Sequence, residues 1–189
     1  MSPRPTTGHV RRPAILTAAA AVIAERAGTS APGVLYWFAS KDELLTEALA
    51  FSDDRFYAEL SDRLAELGSA RARLERLVEV WPAEGDSETV LWMELWVRAL
   101  RDPAVNATRA QFDARWRAAI ADVVREGQTA GEFGDEDPEA FALTLGALMD
   151  GFAIQLALRD PAVTPELVKG HCMALVEERL GLEGVADGV

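Results

Sequence analysis

The 189-residue chain contains one cysteine, Cys172, and two histidines, His9 and His171. A single cysteine excludes an internal disulfide and fits a reducing compartment, so the cytoplasm is the expected location. His171 and Cys172 are adjacent, and adjacent positions on a helix point in different directions, so they form no ready dyad. G-x-S-x-G, H-E-x-x-H, paired cysteines and phosphate-loop glycines are all missing. The chain is therefore read as not an enzyme, with no cofactor and no metal. The acidic run Asp135, Glu136, Asp137 reads as a solvated helix start. No apolar run approaches the length of a membrane span. The longest near-candidate, residues 14–24, is about half of one and mostly alanine. The opening residues MSPRPTTGHVRRPA lack the apolar stretch of a secretory signal, so none is expected. Period-2 alternation and internal repeats are also missing, which leaves an all-α fold.

Apolar residues make up 49% and charged residues 26% of the chain, enough for one or two small domains with a real core. The net charge of −12 argues against nucleic acid as a partner. Its distribution argues the other way. Residues 1–40 hold four arginines against Glu25, a net +3, so residues 41–189 carry −15. A basic front on an acidic body suits a small DNA-contacting module on a larger effector domain. On charge alone, a solvated basic tail is the competing reading.

Helical spacing begins at Pro13 and continues through Ile15, Ala18, Ala19, Val22 and Ile23 until Gly28. Residues 31–38 read as a short helix. Ser40 and Glu43 form a capping box that opens a long helix, with Leu44, Leu45, Ala48, Leu49, Phe56, Leu60, Leu64 and Leu67 on or near one stripe, ending at Gly68. Further helices are expected over 69–80, from Ser87 to about Arg101, over 103–127, over 139–158, and from a Thr164 cap to about Leu180. GQTAGEFGDED reads as a polar, glycine-rich link. The expected organisation is a flexible basic arm (1–12), a helix-turn-helix module (13–48), a helical ligand-binding and dimerisation bundle (49–182) and a flexible tail (183–189).

A helix-turn-helix needs a bracing helix, a tight turn and a second helix whose tip enters the major groove. Val22–Ala27, Gly28-Thr29-Ser30 and the 31–38 helix supply these parts. Ser30, Ala31, Pro32 and Gly33 are small enough for close approach to base edges. Thr29, Ser30, Tyr36 and Lys41 can donate to phosphates, and Trp37 lies in the same DNA-facing run. Val34, Leu35 and Phe38 are expected to face the core. A helical hairpin with a packed aromatic hinge would use the same residues.

The segment AERAGTSAPGVLYWFASKDELL resembles the signature of TetR-family (tetracycline-repressor-like) transcriptional regulators: a small-residue turn, a recognition helix ending in Tyr-x-Phe, then Ser-Lys-x-x-Leu. The later stretches LWMELWVRALRDP and GEFGDEDPEAFALTLGALMDGFAIQLALRDP are similar to the betaine-responsive repressor subgroup. The resemblance implies a homodimer that binds operator DNA and is released by a small-molecule effector. Against the family pattern, residues 13–38 are one helix short. The alternative is therefore a helical ligand-binding or interaction protein that has lost DNA binding. An effector pocket is expected from Trp92, Met93, Trp96, Phe112, Trp116, Phe152 and Gln155, with Glu94 and Arg98 as further polar selectors. An aromatic box suits a cationic or flat apolar ligand, and plain core packing would use the same rings. The resemblance places the dimer interface on the last two helices, with Phe141, Leu145, Leu148, Leu167 and Leu175 as its candidates.

Overall fold

A computed structural model of the chain describes residues 28, 30–38, 41–81 and 87–181. The described residues form seven α-helices and no strand: α1 (Ala31–Trp37), α2 (Lys41–Ala65), α3 (Ala70–Glu79), α4 (Ser87–Ala99), α5 (Pro103–Thr129), α6 (Pro138–Ala157) and α7 (Pro165–Leu180). The fold is all-α, as the periodicity predicts. The expected helix over 13–27 and the Ser40 capping box lie outside the described residues, as do the arm expected over 1–12 and the tail expected over 183–189.

Local chemistry sets most of the boundaries. The Asp102 carboxylate accepts the amides of Ala104 and Val105, and Pro103 opens α5. Asp137 and Pro138 open α6 in the same way, and Thr164 and Pro165 open α7. An oxygen-bearing cap followed by a proline satisfies amides that have no partner inside the helix and omits one such amide altogether. The Ser69 side chain caps α3. Gly181 closes α7 at φ 59°, in the left-handed region that glycine enters without a Cβ clash.

Two helix ends differ from the sequence reading. α2 stops at Ala65 rather than Gly68. α5 continues past Gly127 to Thr129, because Gly127 is a packing residue and not a stop. A Cβ there would come within 2.1 Å of Phe133 Cδ2 and 2.9 Å of Ala70 Cβ. The link after α5 is also not simply polar. Phe133 is buried in the core, and the Glu132 carboxylate accepts the Ala70 and Arg71 amides at the start of α3. The Gly134 amide donates to the Leu180 carbonyl at 2.6 Å, and Arg179 pairs with Glu136. This segment therefore fastens α3, α5 and α7 together.

The chain divides into two compact units, Met1–Asp54 and Arg55–Val189, with the division falling inside α2. In the second unit α5 packs against α3, α4 and α6, while α7 packs against α6 and α3. Phe141, Leu145 and Met149 form an i, i+4, i+8 stripe on α6, and each is fully buried. Burying side chains of this size stabilises the unit by about 1.5–3 kcal/mol each. α6 also corrects the reading of apolar runs: Pro138–Ala157 is long and apolar enough to cross a membrane by length and composition. Its buried stripe lies in the core of the second unit.

Candidate functional site

The first unit offers α1. Gly28 sits at φ 64°, which gives the turn its left-handed residue. The Ser30 hydroxyl accepts the Gly33 amide at 3.1 Å, as a helix cap does. Pro32 is exposed and Gly33 half-buried. Tyr36 and Trp37 are 82% and 75% exposed, and their rings meet edge-on with centroids 5.5 Å apart. Both rings belong to the last turn of α1 and are left largely in water. Phe38 is half-buried. Thr29 lies outside the described residues, as do the side chains of Ala31, Val34, Leu35 and Lys41.

The second unit gathers aromatic rings. Trp81 stacks on Trp116 with centroids 5.3 Å apart, and Trp92 meets Phe112 edge-on at 5.3 Å. Trp81 lies 6.4 Å from Trp92, and Phe56 lies 6.2 Å from Trp116. The expected residues Trp92, Phe112 and Trp116 therefore come together. Trp96 and Met93 are half-buried on α4, and Trp96 joins no ring pair among the described residues. Phe152 turns instead to His171, stacking at 5.7 Å, and Gln155 and Glu94 are exposed. Arg98 is half-buried.

Sequence reasoning missed Trp81, which follows the last turn of α3 and so falls outside its period. It also treated Phe56 only as part of a core stripe. The cluster carries a specific polar feature: the indole N–H groups of Trp81 and Trp116 are buried with no hydrogen-bond partner. A buried donor left unpaired costs about 1–3 kcal/mol, so each such group needs an explanation. Trp81 also lines a cleft of about 180 Å³ with Val78, Leu156 and Val168.

Two carboxylates on the middle helices are held above their ordinary range, Asp113 on α5 and Asp150 on α6. Arg109 pairs with Asp113. Burial raises the Asp113 carboxyl, and Arg109 and Arg117 oppose this. Burial pushes the Asp150 carboxyl up to about 6; the Asp113 charge adds to this, and Arg117 and then Arg109 oppose it. Sequence reading passed over Asp150. Its signal was its isolation, since it is the sole charged residue in α6 after Glu139.

The interface candidates divide. Phe141 and Leu145 have no exposed surface and belong to the core, so they cannot meet a partner. Leu148 and Leu175 are partly buried against the core, and Leu167 is 37% exposed. Leu143 and Ala147, two residues further along than the inward pair, are exposed on α6, as are Ala140 and, just beyond the helix end, Leu158. Cys172 is buried, and burial pushes its thiol up to about 11. No group of three or more potential metal ligands occurs among the described residues.

Comparison with known proteins defines the class. The BetI-type transcriptional repressor C-terminal family matches residues 70–181. A transcriptional regulator from Saccharomonospora viridis, crystallised in complex with choline, is 30% identical, with 82% of each chain covered and a TM-score of 0.74. A TetR-family transcriptional regulator from Rhodococcus sp. is 28% identical over 85% of this chain and 86% of its own, with a TM-score of 0.70. A TetR transcription regulator from Haloarcula marismortui is 26% identical over 84% of this chain and 85% of its own, with a TM-score of 0.73. No curated protein matches the sequence. The chain belongs to the TetR family of transcriptional regulators and carries a BetI-type C-terminal domain.

Proposed function

We propose that the protein is a homodimeric repressor that binds operator DNA through α1 and releases it when a small molecule occupies the aromatic cluster. The reading rests on one combination: the exposed Tyr36 and Trp37 pair in the first unit, and a ring cluster with two unpaired buried N–H donors in the second. Ser30, Pro32, Gly33, Tyr36 and Trp37 take the DNA-facing roles, with Thr29, Ala31 and Lys41 beside them. Residues 13–48 form the DNA-binding module and residues 49–182 the effector and dimerisation domain, in a cytoplasmic protein.

Choline in the Saccharomonospora viridis regulator makes a quaternary ammonium the first effector class to test. Trp92, Phe112 and Trp116 are rings of the type that attracts such a cation. Phe56 on α2 lies against Trp116. Movement of that ring on effector binding would pass along the same helix toward Lys41 and change the spacing of the two recognition helices. A dimer must match half-sites roughly 34–36 Å apart, so a small tilt is enough to release DNA. Dimerisation uses the outward faces of α6 and α7, where Leu143, Leu158 and Leu167 are exposed.

Fluorescence anisotropy with labelled DNA from upstream of the gene, in a salt titration against scrambled DNA, tests the DNA half. Sequence-specific binding that weakens as salt rises supports it. Equal affinity for both DNAs, with folded protein, refutes it. That result would favour the helical ligand-binding alternative, which the one-helix-short pattern of residues 13–38 motivates.

A further inference from the structure

We propose that the cleft where the ends of α3 and α6 meet the start of α7 is a second small-molecule site, taking a neutral, ring-sized apolar molecule that carries one hydrogen-bond acceptor. The cleft has a volume of about 180 Å³. Its apolar wall is built from Val78 in the last turn of α3, Trp81 just beyond that helix, Leu156 in the last turn of α6 and Val168 in the first turn of α7. None of Trp92, Phe112 and Trp116 lines it, so the site is distinct from the ring cluster. Val78 and Val168 are 2% and 3% exposed, so the core fixes these two walls. An apolar space of about 150 Å³ is enough to take a benzene ring, so a single six-membered ring fits here. Apolar walls that stay open to water gain from an apolar occupant that displaces it.

The charged lining residues decide what else the occupant carries. Glu79 and Glu166 are exposed and Lys169 is half-buried, so the three stand toward the mouth. Lys169 Nζ lies 2.7 Å from Glu75 Oε1 and 2.8 Å from Glu79 Oε1. An ammonium has three donors, so the two carboxylates hold it in place and one donor is left for a ligand. Arg76 also pairs with Glu79. Glu75, Glu79 and Glu166 therefore face Lys169 and Arg76, three negative charges against two positive. A ligand carboxylate is opposed there, and a ligand cation has to displace pairs already made. A hydroxyl or carbonyl oxygen accepts from Lys169 without either cost. Trp81 belongs to both sites, because it lines the cleft and stacks on Trp116 with centroids 5.3 Å apart. An occupant of the cleft thus bears on the ring cluster through one side chain.

Methyl NMR of the full chain titrated with cyclohexanol tests the proposal, with cyclohexanecarboxylate as the anionic control. Cyclohexanol is expected to shift the methyl signals of Val78, Leu156 and Val168 in a saturable way, with a dissociation constant of about 1 mM, and to show intermolecular NOEs to them. The carboxylate is expected to bind at least about threefold more weakly. Lys169→Met, which keeps the stem and removes the donor, is expected to lower cyclohexanol affinity about fivefold. Leu156→Trp, which fills the cleft, is expected to abolish binding; should that variant not fold, the wild-type NOEs decide. The absence of saturable shifts up to about 10 mM overturns the site, as do NOEs confined to the surroundings of Trp92 and Phe112, or undiminished binding in folded Leu156→Trp. Equal affinity in Lys169→Met overturns its role as donor, and tighter binding of the carboxylate overturns the neutral class. Any of these failures leaves the reading of the ring cluster in place.

Discussion

Burying a carboxylate destabilises the folded protein that must keep it charged, and the cost at Asp150 can be worked out. Burial and the Asp113 charge raise the carboxyl from 3.8 to about 6. Below about pH 4 the group is protonated in both the folded and the unfolded chain and makes no difference. Between about pH 4 and 6 the folded protein keeps a proton that the unfolded chain releases, so stability falls as pH rises. Above about 6 both states are ionised and the full penalty is present. A tenfold change in proton affinity between the two states is worth about 1.4 kcal/mol. The penalty therefore approaches about 3 kcal/mol, or about 2 once residual solvation of the half-buried side chain is allowed for. Asp150→Asn removes the titration. It is expected to stabilise the free protein by about 2 kcal/mol at pH 7.5 and by almost nothing at pH 4. At about 3 °C per kcal/mol for a domain of this size, the neutral-pH melting temperature rises by roughly 6 °C. Differential scanning calorimetry at the two pH values reads this directly. An equal change at both pH values, or a loss of stability at pH 7.5, would show that Asp150 carries no such cost.

Other substitutions test separate parts of the molecule. Gly127→Ala gains helix propensity of about 1 kcal/mol but drives a methyl into Phe133 and Ala70. A net loss of about 1–3 kcal/mol is expected, seen as a lower urea midpoint at unchanged m-value, and an unchanged or higher midpoint would contradict the packing. Leu143→Glu alters a side chain that is 58% exposed; it should leave the helical circular dichroism intact and shift the mass in light scattering from dimer toward monomer. An unaltered dimer would remove that face from the interface. Tyr36→Phe should weaken binding to operator and scrambled DNA alike, several-fold, as loss of a phosphate contact does; anisotropy showing no change would remove that role.

Helix starts were legible because caps are local: Asp102-Pro103, Asp137-Pro138 and Thr164-Pro165 carry their own stereochemistry. The meaning of Gly127 was not, because its reason is a ring six residues later and a methyl on α3. α6 misled twice for one cause. It is apolar nearly all round, so periodicity could not say which stripe faces inward, and Phe141 and Leu145 were assigned outward while Leu143 and Ala147 hold that place. The aromatic cluster was half legible. Trp92, Phe112 and Trp116 lie within helical periods, while Trp81 sits just past a helix end and reaches the cluster through tertiary packing. The partnerless indole N–H groups and the raised Asp150 carboxyl depend on burial, which no spacing rule reports.

Coupling of DNA binding to an alkylammonium effector within one chain is the proposal on which the rest depends. Choline titrated into the preformed complex of the protein with labelled upstream DNA, followed by anisotropy, tests it with 3,3-dimethylbutan-1-ol as the neutral control. Choline is expected to release the DNA in a saturable way, and the neutral alcohol is not, at the same concentrations. A complex that stays intact at saturating choline, with choline shown to be bound, would contradict the coupling.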